Sequence, residues 1–187
     1  MNIRSHTFEE FAERVRAFHG FAAPGVMIGG FMVDLAYQYL PREGLFDALC
    51  ETSKCLPDAI QLLTPCTAGN GWLKVVHTGR YALALYEKST GVGIRVHIDP
   101  AKLDAWPEIK GWFFKLKPKK EQNYELFMEQ IKEAGGGICG VRTVRVADRF
   151  LGRKQRSGLA VCPQCCEAYP ATDGKLCLAC QGDVLYA

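Results

Sequence analysis

The sequence predicts an α+β fold, a core of helices packed on a largely antiparallel sheet, with a small C-terminal unit organised by cysteines. Three observations carry this. Helical and strand-like segments mix without the regular strand–helix–strand alternation of a parallel sheet. Strand-like runs follow one another across short turns rich in glycine. Five of the nine cysteines lie between 162 and 187, four of them as two C-x-x-C pairs.

Along the chain, Phe8, Phe11, Ala12, Val15 and Phe18 fall at helical spacing, and Thr7 with Glu10 forms a capping box ahead of them. Pro24 suits the first turn of a second helix running through "GVMIGGFMVDLAYQYL" to Pro41. That segment is apolar almost all round, so it belongs in the interior, and Gly29 and Gly30 call for a close neighbour. "LFDALCET" reads as a strand and "LPDAIQLL" as a short helix. "WLKVVHTG", "YALALYE" and "GIRVHID" read as an antiparallel meander turning at Thr78-Gly79 and Ser89-Thr90-Gly91. "NYELFMEQIKEA" is a helix ended by three glycines, and "GVRTVRVAD" returns as a strand. This frames a core domain at 1–156 and a tail domain at 157–187.

Composition bounds the function. At 187 residues, 48% hydrophobic and 23% charged, the chain has the make-up of a globular protein. A net charge of +3 gives no overall attraction for nucleic acid. Arg142, Arg145, Arg149, Arg153, Lys154 and Arg156 nevertheless face only Asp148 in the stretch before the tail. The polar first residues do not form a secretory leader. The most apolar stretch stops at Asp34, too short for the ~20 residues of a membrane span. The expected location is the cytoplasm, where thiols stay reduced and paired cysteines imply metal or redox chemistry.

Cys162-x-x-Cys165, eleven residues, then Cys177-x-x-Cys180 is the spacing of two metal knuckles, each turning two thiolates toward one tetrahedral zinc. Pro163 stiffens the first knuckle and Asp173-Gly174 turns the chain between them. So short a segment buries too little apolar surface to fold unaided, so zinc supplies its folding energy. A redox dithiol would use one pair after a strand. With four protein ligands the ion is structural and closed to substrate, and Cys166 is a spare thiol.

Within "CETSKCLPDAIQLLTPCTAGNG", Cys50, Cys55 and Cys66 accompany Glu51, Asp58 and Gln61. Cys55 opens a short helix, a position that favours a thiolate. The same cysteines also suit plain burial as small hydrophobes. His19 ends the first helix, and His77 and His97 lie in strands. Gly135, Gly137 and Gly140 spell G-x-G-x-x-G, but a helix precedes them and a strand follows, the reverse of a dinucleotide loop.

"AFHGFAAPGVMIGGFM", the cysteine segment and "YALALYEKSTGVGIRV" together resemble the FmdE family, named for a component of formylmethanofuran dehydrogenase, over roughly residues 8–100. The tail is similar to a DksA/TraR-type zinc finger. The resemblance implies an α+β core, an intertwined homodimer, and service as a metal-binding accessory protein to a molybdenum or tungsten enzyme, within a larger redox complex. Family members typically read H-G-H-x-C-P-G where this chain has Phe21 and Ala23, so two of the family's metal or thiol positions are gone. His19, Cys55 and Cys66 remain as ligands for a second zinc or nickel ion. The alternative function is a regulator binding nucleic acid through the finger and segment 142–156. It is not favoured, because the finger itself sets Lys175 against Glu167, Asp173 and Asp183.

Overall fold

The computed structural model describes residues 2–40, 45–151 and 158–182. Its contacts divide the chain into two compact units, Met1–Gly152 and Arg153–Ala187. The expected domain boundary at 156/157, with Arg153, Lys154 and Arg156, lies outside the described residues.

The first unit opens with β1 (Asn2–Ile3) and β2 (His6–Thr7), a minimal antiparallel pair, followed by α1 (Phe8–His19). The capping box forms as expected: Thr7 Oγ1 accepts from the Glu10 amide at 3.2 Å, and the Thr7 amide donates to Glu10 Oε2 at 2.8 Å. Gly20 ends the helix at φ 94°, the left-handed conformation that a glycine takes without strain. α2 (Pro24–Tyr39) follows and is buried along most of its length. Its glycines are tightly packed. A Cβ at Gly29 would meet Ala59 Cβ at 2.7 Å, and one at Gly30 would meet the Phe11 ring at 2.4 Å. α2 is therefore covered within one chain, and its apolar character does not by itself call for a partner.

β3 (Phe46–Cys50), α3 (Leu56–Leu63) and β4 (Leu73–Val75) come next, then β5 (Ala82–Glu87), β6 (Val92–Ile98), α4 (Pro107–Phe113), α5 (Tyr124–Ala134) and β7 (Cys139–Arg145). The five-stranded sheet has the order β4-β3-β5-β6-β7, antiparallel at every pairing except β3 with β4. This corrects the expected meander. β4 does not pair with β5; β3 lies between them, with Ala48 opposite Leu73 on one side and Leu85 on the other. The cause is α3, a crossover helix that returns the chain parallel to the strand it left. α2 covers the sheet face bearing Leu83, Leu85, Ile94 and Val96, all buried.

The second unit holds β8 (Leu159–Val161) and β9 (Ala168–Pro170), an antiparallel hairpin with Ala160 opposite Tyr169. Tyr169 is its main buried aromatic, and its hydroxyl donates to the Gly174 carbonyl at 2.8 Å. Gln181 Nε2 donates to the Asp173 and Leu176 carbonyls at 2.8 and 2.6 Å, tying the second knuckle to the turn before it.

Candidate metal centre and core cavity

The turn after β8 carries Cys162 and Cys165, and Cys177 and Cys180 flank the last short helical turn. Their four sulfurs all lie within 4.8 Å of one another, and Cys165 and Cys177 are 3.7 Å apart. A tetrahedron of thiolates around zinc at ~2.3 Å has edges of ~3.8 Å, so the cage fits that ion without rearrangement. The Cys162 thiol is pulled down to about 6 by the Cys165 and Cys177 amides that point at its sulfur. Cys180 is pushed up to about 12 by hydrogen bonding to Cys177. Four crowded thiols cannot all ionise alone, and a dication at the centre removes that conflict. Zinc held here is structural: all four positions are protein sulfur.

Cys166 stands outside the cage. It is exposed, and its amide donates to the Cys162 carbonyl at 2.9 Å to close the knuckle, which places it at φ 63°. A side chain in that conformation costs roughly 1 kcal/mol relative to glycine. Cys166→Gly is accordingly expected to keep one zinc per chain and to slow zinc loss to a chelator several-fold. Loss of the metal in this variant would show that the Cys166 sulfur is a ligand.

In the first unit the structure does not bring His19, Cys55 and Cys66 together, and among the described residues only the tail gathers three or more metal-ligating groups. The reason is α3. Cys55 caps its N-terminus and Cys66 lies beyond its C-terminus, so eight helical residues, ~12 Å at 1.5 Å per residue, separate the two sulfurs. Cys66 is buried, with its thiol 3.7 Å from the Phe46 carbonyl, and Cys50 donates to the Thr52 carbonyl at 3.1 Å. Both are packed as small hydrophobes. Burial pushes the Cys50 thiol to about 11 and also raises Cys66. Cys139, unassigned by sequence, is raised to about 12 in the same way.

His19 is instead paired with Asp58, Nδ1 to Oδ2 at 2.5 Å, and its ring leans on Phe21 with centroids 5.4 Å apart. Cys55 sits at φ 55° with no side-chain cap bond, and a Cβ at Gly25 would meet its sulfur at 2.9 Å. Burial first, and then the Asp58 carboxylate, raise the Cys55 thiol. The thiolate expected at this helix start is therefore overruled by desolvation.

Cys55 does reach a cavity of about 740 Å³, within the range of small-molecule sites. Phe21, Ala23, Pro24, Trp112, Tyr124 and Phe127 supply its apolar walls, and Lys115, Lys117 and Lys119 line it as well. Tyr124 Oη donates to the Ala22 carbonyl at 2.8 Å, and Tyr81 Oη to the Gly25 carbonyl at 2.6 Å, which fix the segment before α2. Phe21 and Ala23, the two departures from the family pattern, are both wall residues.

Residues 18–148 match the family model described as "FmdE, Molybdenum formylmethanofuran dehydrogenase operon", and residues 153–187 match "FmdE treble clef zinc finger", in place of the DksA/TraR type. A crystal structure of an FmdE-like protein of tungsten formylmethanofuran dehydrogenase, from Syntrophus aciditrophicus, is 53% identical with a TM-score of 0.91, covering 100% of this chain and 98% of that one. A "Probable S-adenosyl-L-methionine-binding protein" of Archaeoglobus fulgidus is 24% identical over 87% of this chain, which spans 54% of that protein's length. With the core model covering most of the first unit and the finger model most of the second, the chain belongs to the FmdE family.

Proposed function

We propose that this protein is a cytoplasmic, non-catalytic accessory subunit of a molybdenum or tungsten formylmethanofuran dehydrogenase-type enzyme, working as a homodimer and docking onto protein through its finger. The observation that carries the docking role is the finger's surface. Leu159, Val161 and Leu178 are 74, 68 and 49% exposed on a unit held together by metal rather than by a core. Exposed aliphatic side chains suit a protein contact better than a phosphate backbone. The basic approach favours nucleic acid less than its sequence implied, since Arg145 pairs with Asp148 at 2.9 Å and Arg149 covers the Phe150 ring at 4.8 Å. An S-adenosylmethionine sulfonium in the cavity would meet its lysines, so that ligand is not part of this reading. Nor is a core zinc or nickel ion, whose donors lie at opposite ends of α3.

Mixing the zinc-loaded protein with a purified enzyme of this class should give a complex in size-exclusion chromatography with light scattering. Leu159→Asp with Leu178→Asp should weaken it at least about tenfold. Unchanged binding by that double variant, or binding to duplex DNA instead, would remove the docking role. The protein alone should run near twice 20.8 kDa, because an obligate interface of ~2,000 Å² or more does not dissociate at micromolar concentration. A monomer would remove the dimer.

A further inference from the structure

We propose that the core cavity binds a small anion with a flat apolar body, an aromatic carboxylate or phosphate, whose body lies against Phe21, Trp112 and Phe127 and whose head meets Lys115 and Lys119.

The charge pattern singles out this ligand class. Three lysines line the cavity and no carboxylate does. Lys117 is already engaged, 3.1 Å from Glu108 Oε1. Lys115 and Lys119 make no ion pair among the described residues. Lys119 holds its ammonium 5.3 Å from the centre of the Phe21 ring, so a cation is stationed at the aromatic wall itself. Lys115 is placed by backbone: it ends α4 at φ 55°, its amide donating to the Trp112 carbonyl at 3.2 Å while the Leu116 amide donates to Gly111 at 2.8 Å. A lysine stands where helix ends favour glycine, which fixes the root of its side chain beside Trp112.

The walls define the rest. Trp112 packs edge-on to Tyr81 with centroids 5.6 Å apart and tilts against Phe127 at 5.8 Å, so the aromatic surface is rigid before any ligand arrives. Apolar walls weaken water's screening and strengthen attraction to the lysines. Cys55, with its thiol raised by burial, stays neutral and does not repel an anion. None of this depends on the accessory-protein reading, since the cavity lies wholly in the first unit and the zinc cage in the second.

The test titrates the zinc-loaded, full-length protein with 2-naphthoate and 2-naphthyl phosphate, and with neutral 2-naphthylmethanol, by calorimetry at low salt. In parallel, iodoacetamide alkylation is followed by peptide mass spectrometry, with exposed Cys166 as reference for Cys55. Both anions should bind at least about tenfold more tightly than the alcohol. Lys115→Gln with Lys119→Gln should remove most of that advantage and leave the alcohol unchanged. Added salt should weaken the anions alone in the unaltered protein, a readout that does not depend on the variant. Bound naphthoate should slow alkylation of Cys55 and not of Cys166. Anions that fail to bind, an alcohol that binds equally well, a double variant that retains the anion preference, or unprotected Cys55 would each overturn the proposal.

Discussion

Replacing Cys162 and Cys177 with serine should strip one equivalent of zinc from each chain and unfold the second unit, while the first stays folded. The four sulfurs already sit at the spacing of a zinc tetrahedron. The hairpin they hold has little else, with Tyr169 as its main buried side chain and Leu159 and Val161 in the open. Zinc binding in comparable peptides contributes ~10–16 kcal/mol, more than so small an apolar cluster offers. Elemental analysis gives the metal count, and limited proteolysis after the basic stretch gives the unfolding. All three tryptophans, Trp72, Trp106 and Trp112, lie in the first unit, so their fluorescence reports that unit alone. Unchanged zinc content would dismiss the four-cysteine assignment. Lost tryptophan structure would show that the first unit depends on the second.

The finger was legible because its ligands are two local pairs, and metal geometry follows directly from such spacing. The capping box at Thr7 and Glu10 and the buried α2 were legible for the same reason, since each rests on residues within a few positions. The core was harder. An apolar run such as "LFDALCET" announces a strand but does not name its neighbours, so β3 entering between β4 and β5 was invisible. Cys66 was within reach by chain length, yet α3 carries it away from Cys55. α4 is short and aromatic, and no amphipathic stripe marks it. The cavity needs Phe21, Cys55, Trp112 and Tyr124, which only the tertiary fold assembles.

Glu51→Gln is expected to destabilise the first unit by ~3–5 kcal/mol, the cost of leaving a buried charge without its partner. Glu51 and Arg95 are 4 and 6% exposed, and the guanidinium grips the carboxylate twice, Nε to Oε1 at 2.5 Å and Nη2 to Oε2 at 2.9 Å. Arg80 adds a contact at 2.7 Å to Oε2. Burial pushes the Glu51 carboxyl up, but Arg95 with Arg80 and Arg142 outweighs it and holds the group below its ordinary value. A carboxylate whose folded pKa lies below the unfolded ~4.3 stabilises fully above that pH, and the contribution is lost as pH falls through the folded value. The deficit of the variant, read by urea unfolding through tryptophan fluorescence, should therefore be full at pH 7 and shrink below pH ~4. A deficit independent of pH would mean that the cost is packing and not charge.

β7 ends the five-stranded sheet, and its outer side has no strand beside it among the described residues. Seven residues of open edge invite another chain to add a strand and begin aggregation. This edge carries Arg142 and Arg145, both exposed, before Arg149 continues the run. A second copy laid alongside would meet the same arginines, and the repulsion discourages stacking edge to edge. The basic stretch that suggested nucleic acid thus also serves as a guard on the sheet, turning away unwanted copies at the longer of its two end strands.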